Sequence, residues 1–195
     1  MELIEEKLKT VTSYHGVIVN VRLDEARLPD GSTAKREVVE HPGGVTVLPL
    51  EADGTVWCVR QYRYPFSRTL LELPAGKLEP GEAPERAAAR ELSEETGLSA
   101  GRLQYLGANF TSPGYSQEVL HIYLARDLHP AETSFVREAE EAEMTLDFVD
   151  LDAAADAAIE GRMHSPDAIV GILAAVRARE SGWETLRGPG EPWLR

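Results

Sequence analysis

From Gly76 to Leu98 the sequence reads GKLEPGEAPERAAARELSEETGL. Its alanine-rich centre favours a helix, and on a helix residues three and four positions apart share one face. Glu91, Glu94 and Glu95 therefore crowd three carboxylates together. Because these carboxylates repel one another, the helix gains no stability from them. Oxygen-rich clusters of this kind suit Mg²⁺ or Mn²⁺, which assist phosphoryl chemistry.

The ends of this helix are also marked in the sequence. We predict that it runs from Glu82 to Thr96. Pro84 suits the first turn, where a missing N–H costs nothing, and acidic residues there complement the helix dipole. Gly97 suits the position that follows the last turn.

The same segment resembles the Nudix box, whose pattern is G-x5-E-x7-R-E-U-x-E-E-x-G-U, with U an aliphatic residue. Every fixed position of the pattern is present, namely Gly76, Glu82, Arg90, Glu91, Leu92, Glu94, Glu95, Gly97 and Leu98. The alternative is a charged, solvated helix face, which does not need glycines at both ends. The resemblance implies a metal-dependent enzyme that hydrolyses a diphosphate linked to some further group.

Short β-rich segments surround the helix, and two more helices are predicted towards the C-terminus. The predicted strands are 14–22, 35–40, 44–50, 55–60, 103–107, 118–125 and 144–150, and the later helices are 151–161 and 165–177. This mixture indicates the α+β class. It agrees with the Nudix resemblance, which implies an α/β/α sandwich with a mixed sheet, here preceded by a small N-terminal β-sheet region.

We expect three parts along the chain. They are an N-terminal β-strand dimerisation region over 1–42, a Nudix hydrolase domain over 43–180, and a tail over 181–195. The Gly and Pro content of the tail favours partial disorder. The strands 44–50 and 55–60 flank a turn at 51–54, which predicts a β-hairpin.

Charge and cysteine content narrow the class of protein. The 195 residues carry a net charge of −13, which argues against non-specific nucleic-acid binding because that depends on a basic surface. No apolar run approaches the roughly 18 residues of a membrane span, and the acidic N-terminus lacks a signal-peptide pattern. Cys58 is the only cysteine, so no intrachain disulfide can form. We therefore expect a cytoplasmic protein.

The Nudix resemblance also implies roles for individual residues. It places the metal ion on Glu91, Glu95 and the backbone carbonyl of Ala75, with Glu94 assisting catalysis. Glu82 either touches the metal or serves only as a structural partner, and Glu79 is a weaker additional candidate. Arg90 would orient the glutamates through bidentate contacts. The expected cofactor is Mg²⁺, with Mn²⁺ as the alternative.

Segments outside the box resemble the ADP-ribose pyrophosphatase branch of the family. These are 36–43, 59–65, 71–76 and 111–118, and Pro113 lies sixteen residues after Gly97, a spacing typical of that branch. The resemblance implies that six residues bind substrate: Arg36, Glu37, Arg63, Pro113, Gly114 and Glu118. Each also has an ordinary interpretation as part of a solvated strand edge, a surface ion pair or a loop turn.

Two further features follow from the same branch. An acidic loop before residue 144 supplies the catalytic glutamate, for which Glu140 is the first choice and Glu141 the second. The N-terminal strands pair across a homodimer and help to build the partner's adenosine pocket. The loop could instead be only a solvent-facing charged segment.

The sequence thus predicts hydrolysis of ADP-ribose, a small nucleoside diphosphate sugar, to AMP and ribose 5-phosphate. One alternative is a pyrophosphatase that acts on another nucleoside diphosphate sugar such as GDP-mannose. A second is a catalytically silent nucleotide-sugar sensor, although proteins of that kind typically lose box carboxylates and all of them are present here.

Overall fold

A computed structural model describes residues 4–132 and 143–191 of the chain. The chain divides into two compact units. The first holds the residues up to Gly43 together with Phe110–Val119, and the second holds Gly44–Asn109 and the residues from Leu120 onwards.

The first unit is built on a three-stranded antiparallel sheet in the order β1-β2-β3. Its strands are β1 (Glu6–His15), β2 (Asn20–Arg27) and β3 (Thr33–Glu40). The predicted N-terminal β-sheet region is confirmed. The prediction of one strand over 14–22 is wrong, because the chain turns at Gly16, whose N–H donates to the Val19 carbonyl at 3.0 Å. A β-carbon on Gly16 would lie 2.8 Å from that carbonyl oxygen, so the turn requires glycine.

Within the described residues, seven strands, three α-helices and a short 3₁₀ helix (Tyr64–Phe66) follow. The strands are β4 (Gly44–Pro49), β5 (Thr55–Arg63), β6 (Arg68–Glu72), β7 (Ala75–Lys77), β8 (Leu98–Phe110), β9 (Val119–Pro130) and β10 (Thr145–Asp150). The helices are α1 (Pro84–Thr96), α2 (Leu151–Ile159) and α3 (Pro166–Glu180). The strands form one sheet in the order β7-β4-β9-β8 and another in the order β10-β5-β6. Because β4 is antiparallel to β7 and parallel to β9, the four-stranded sheet is mixed.

Strand β4 shows why helices lie on both faces of this sheet. Successive strand residues point to opposite faces. Val45 and Val47 pack in the cluster that contains the alanines of α1, whereas Leu48 packs in the cluster that contains Ile172 of α3. All three valine and leucine side chains are fully buried. The α+β class and the α/β/α sandwich are therefore confirmed.

The predicted hairpin between β4 and β5 is wrong. The turn exists, with the Glu51 N–H donating to the Thr55 carbonyl at 2.8 Å. Beyond it the strands enter different sheets and share only the isolated bridge between Leu50 and Val56. The reason is that both edges of β4 are already occupied, by β7 and by β9.

The chain from Ser181 to Glu191 packs against the second unit. Arg187 forms a β-bridge with Tyr105, Trp183 packs against the core, and the Tyr123 hydroxyl donates to the Pro189 carbonyl at 3.4 Å. The expectation of partial disorder is wrong for these residues, because buried aromatic side chains of the sheet give the tail a surface to pack on.

Candidate active site

Helix α1 places its carboxylates at the edge of the core. Glu91 and Glu95 are only 5% and 3% exposed, on the same helix as the buried residues Ala88 and Leu92. Glu94 is half-buried. An apolar helix face that carries buried carboxylates requires compensating partners, since an unpaired buried charge is strongly unfavourable.

Arg90 is the main partner of these carboxylates. Its Nε and Nη2 donate to the two carboxylate oxygens of Glu82 at 3.0 and 2.9 Å. Its Nη1 donates to Glu91 at 2.7 Å and to Glu94 at 3.0 Å. These bonds raise the pKa of Arg90 and, through the Arg90 hydrogen bonds, lower the pKa of Glu82. One guanidinium thus fixes three of the four box glutamates.

The loop before the helix is shaped around Glu91. A β-carbon built on Gly76 would lie 2.0 Å from Oε1 and 2.4 Å from Oε2 of Glu91. Glycine is therefore needed here for space, because any side chain would displace the carboxylate. The box glycine and the box glutamate form one closely packed unit.

Glu95 is fixed by the backbone of the same loop. Its Oε2 accepts a hydrogen bond from the Ala75 N–H at 3.0 Å, and Ala75 lies opposite Thr46 in the pairing of β7 with β4. The end of α1 is thereby tied to the loop whose carbonyl is expected to join the metal shell. The loop and the two buried glutamates therefore lie together.

This set of oxygens fits a divalent metal ion. Mg²⁺ is usually bound through one or two carboxylates, with substrate phosphates and water completing its shell. Within 4–132 and 143–191 no group of three His, Cys, Asp or Glu side chains could hold a metal by itself. The buried carboxylates of Glu91 and Glu95, with the Ala75 N–H bonded to Glu95, are the described groups that could supply part of the shell of a divalent ion.

Arg63 lies at the end of β5 and is paired with Glu72 of β6. Its Nε lies 3.1 and 3.0 Å from the two Glu72 oxygens, and its Nη2 lies 2.6 Å from Oε2. Burial acts to lower the pKa of Arg63, but the bonds to Glu72 and the attraction of Glu95 and Asp167 raise it overall. The predicted phosphate-binding arginine is thus within the electrostatic influence of a predicted metal ligand.

The remaining predicted substrate residues belong to the first unit. Arg36 and Glu37 lie on β3, and Arg36 makes an exposed bidentate pair with Glu5 at 3.0 and 2.7 Å. The loop that carries Pro113 and Gly114 is joined to β3, because the Val39 N–H donates to the Tyr115 carbonyl at 2.7 Å. The structure therefore groups the residues expected at the adenosine and ribose end in one unit.

Glu118 is also fixed in that unit. Its Oε2 accepts from the Thr111 hydroxyl at 2.7 Å, and its Oε1 lies 3.1 Å from Nδ1 of His41. The side chain is one-quarter exposed. It is therefore held in place but still accessible to a ligand.

The predicted metal residues Ala75, Glu82, Glu91 and Glu95, the predicted phosphate-binding Arg63 and the predicted catalytic Glu94 all belong to the second unit. The predicted bases Glu140 and Glu141 lie outside the described residues. Among the helices of the described ranges, none is long and apolar enough to cross a membrane.

The sequence prediction did not include Glu72, Thr111 or His41 as partners of functional residues. Glu72 stands in the segment 71–76 that had been singled out. No sequence pattern showed that its carboxylate would face an arginine nine positions earlier.

The family model described as the NUDIX domain matches residues 40–167, about two thirds of the chain. The chain belongs to the Nudix family. The match covers α1 with all its box carboxylates, Arg63 and the segment that contains Glu140. It excludes most of the first unit.

Individual relatives extend the Nudix comparison. The ADP-ribose pyrophosphatase of Bacillus subtilis (strain 168) is 42% identical over 144 residues, covering 73% of this chain and 77% of the relative. The ADP-ribose pyrophosphatase of Mycobacterium tuberculosis is 38% identical over 190 residues, 97% of this chain and 91% of the relative. The methanol dehydrogenase activator of Bacillus methanolicus is 40% identical over 151 residues, covering 75% of this chain and 82% of the relative.

A solved structure supports the fold over almost the whole length. The crystal structure described as an ADP compounds hydrolase superimposes with a TM-score of 0.76. It covers 94% of this chain and 98% of that chain, at 24% sequence identity. Similarity at this level of identity supports the fold alone.

Proposed function

We propose that the protein is an Mg²⁺-dependent ADP-ribose diphosphatase that produces AMP and ribose 5-phosphate. The observation that carries the proposal is the buried pair Glu91 and Glu95 on α1, fixed by Arg90 and by the Ala75 N–H. The two relatives named ADP-ribose pyrophosphatase, at 42% and 38% identity, support the choice of substrate.

The reaction consumes one water. Its oxygen attacks one phosphorus, the bond from that phosphorus to the bridging oxygen breaks, and the second phosphate leaves with the bridging oxygen. When bound, Mg²⁺ neutralises phosphate charge and lowers the pKa of water. Glu91, Glu95 and the Ala75 carbonyl would hold that ion, with Glu82 supporting through Arg90.

Other residues would bind substrate and accept the proton. Arg63 would neutralise the diphosphate, since a guanidinium binds phosphate oxygens through paired N–H donors. Glu140 or Glu141 would accept the proton of the attacking water as general base, and Glu94 would assist. Pro113, Gly114 and Glu118 would contact the terminal ribose, and Arg36 and Glu37 the adenosine.

A substrate profile tests the proposal. We expect kcat/KM for ADP-ribose to exceed that for GDP-mannose and NADH by more than about tenfold, which corresponds to about 1.4 kcal/mol. Activity should disappear when Mg²⁺ is removed by a chelator and return when it is restored. A tenfold preference for GDP-mannose would instead favour the other nucleoside diphosphate sugar. Tight binding of ADP-ribose without Mg²⁺-dependent turnover would identify a sensor.

The two loop glutamates are tested together. We expect the double variant E140Q/E141Q to lose about 10²-fold in kcat, the lower part of the range for removing a general base. Glu140→Gln alone should cost more than Glu141→Gln. Steady-state kinetics at saturating Mg²⁺ measure the effect, with E132Q, in the segment just before the loop, as the control for each single variant because it also removes one carboxylate. Unchanged turnover in the double variant would exclude this loop as the source of the base.

We propose that region 1–42 mediates a homodimer, with the hydrolase domain at 43–180 and the tail after it. All ten residues of β1 are exposed, and its apolar side chains Val11 and Tyr14 are 51% and 58% exposed. Exposed apolar side chains on the edge strand of an open sheet support an interaction surface there. Light scattering that gives the 21.4 kDa mass of one chain would contradict the dimer. We also propose a cytoplasmic location, which cell fractionation would test.

A further inference from the structure

Glu72 and Arg63 form an asymmetric ion pair within the β5–β6 hairpin, in which Arg63 lies at the turn and Glu72 at the far end of β6. The Glu72 side chain is only 8% exposed, whereas that of Arg63 is 38% exposed. Burying a carboxylate at a strand end costs desolvation free energy that an apolar side chain would avoid. A contribution to stability alone therefore explains the pair only weakly. Because the Arg63 side of the pair is exposed to solvent, it can also contact a ligand.

The hydrogen bonds to Glu72 use one edge of the guanidinium. They involve Nε and Nη2 of Arg63, and within the described part of the chain Nη1 donates to no acceptor. The same arrangement occurs at Arg90, where Nε and Nη2 hold Glu82 while Nη1 reaches Glu91 and Glu94. In both arginines a carboxylate binds the edge formed by Nε and Nη2 and leaves Nη1 for another acceptor.

Two further carboxylates influence the charge of Arg63. The charges of Glu95 and Asp167 both act on it. Asp167 is itself fixed, because it accepts from the Thr46 hydroxyl at 2.6 Å and from the Ser165 hydroxyl at 2.6 Å. Thr46 is paired with Ala75 in the sheet. Arg63 is thus directed by fixed carboxylates rather than by a freely moving surface partner.

We propose that Glu72 is a positioning residue that holds Arg63 so that its Nη1 edge faces the substrate diphosphate. This inference rests on the proposed function of the same site. Glu72 acts through Arg63 and does not itself touch substrate. Because a bound diphosphate needs both its charge and its geometry matched, loss of Glu72 weakens catalysis without removing the arginine.

A double-mutant cycle tests the dependence of one residue on the other. The variants are E72Q, R63Q and E72Q/R63Q, assayed for kcat and KM with ADP-ribose at saturating Mg²⁺. We expect E72Q to lower kcat/KM by about tenfold, the usual size of an effect exerted through a supporting hydrogen bond. In the R63Q background the same change should cost less than about twofold, because the residue that Glu72 positions is already absent. The Mg²⁺ concentration for half-maximal activity should not change.

Asp147→Asn is the matched control. Asp147 also pairs with an arginine of β5, Arg60, at 2.6 Å, but in an exposed pair on the neighbouring strand. We expect its kcat/KM to stay within about twofold of wild type, as is usual for an exposed ion pair. An equal loss from E72Q in both backgrounds, or none in either, would overturn the inference. If E72Q does not fold, E72D keeps the charge with a shorter reach and should show the same dependence on Arg63.

Failure of the proposed function gives a different result. A wild-type protein that does not turn over ADP-ribose would refute the proposed function but not the positioning role. In that case calorimetric binding of ADP, which carries a diphosphate, replaces turnover as the measurement. The role of Glu72 would still be supported if E72Q weakens ADP binding in the wild-type background but not in the R63Q background. Equal ADP binding by E72Q and the wild type would overturn it.

Discussion

Glu95→Gln is expected to lower kcat by about 10³-fold, the scale of removing a group that stabilises charge in the transition state. Glu95 is 3% exposed and lies on the same helix face as Glu91. A glutamine is a neutral and weaker ligand for Mg²⁺, so the ion would lose one of its two carboxylates. The fold should be retained, because the amide oxygen can still accept the hydrogen bond from the Ala75 N–H. The variant also relieves the repulsion from Glu91 and Glu94, which should offset any remaining loss of stability.

Kinetics and thermal unfolding should be measured on the same preparation. We expect the melting temperature to change little and the Mg²⁺ requirement of the residual activity to rise. Glu85→Gln is the control, since it removes one carboxylate from the first turn of the same helix without touching the box face. If the Glu95→Gln variant is largely unfolded but its remaining folded fraction has normal specific activity, a role of Glu95 in metal binding is excluded.

The sequence predicted most of this helix because the box ties each residue to a local neighbour. Arg90 meets Glu91 and Glu94 within one turn, and Gly97 closes the helix with a φ of 73°. Contacts of this kind depend on helical spacing alone. They can therefore be read from spacing before any tertiary structure is known.

Contacts between distant segments could not be predicted in the same way. The Thr46–Asp167 bond joins residues 121 positions apart, and the Arg63–Glu72 pair depends on the register of a hairpin whose turn is a 3₁₀ helix. The choice of strand partner is equally non-local. The turn 51–54 resembled a hairpin, yet β4 had both edges occupied by strands that occur later in the chain.

The two units explain why substrate residues were harder to define than metal residues. The box residues lie within one helix and one adjoining loop of the second unit. Arg36 and Glu118 lie on separate segments of the first unit that only the structure brings together. Neither segment has a periodic pattern that indicates binding, so their prediction depended on family resemblance.

Arg90→Gln is expected to destabilise the protein by about 2 kcal/mol at pH 7 and to lower kcat/KM by about 10²-fold. Removing one partner of a buried ion pair costs about 3–5 kcal/mol, and the Arg90 side chain is 23% exposed, which reduces that cost. The activity falls because Glu91 and Glu94 lose the donor that orients them. Urea unfolding and steady-state kinetics give the two numbers. Arg86→Gln removes the same charge from an exposed position of α1. It should change the free energy of unfolding and kcat/KM only slightly.

The pH dependence separates this role from simple loss of packing. In the wild type Arg90 lowers the pKa of Glu82 in the folded state, so its stabilisation is present above the unfolded pKa and is lost as pH falls through the folded pKa. In Arg90→Gln that contribution is absent, and protonation at low pH relieves the repulsion among the box carboxylates. The difference in free energy of unfolding between the two proteins should therefore stay level from pH 7 down to about 4.5, the ordinary pKa of Glu82, and shrink as pH falls below that value. A difference that stays constant below that value as well would mean that Arg90 acts through packing of its side chain and not through the carboxylates.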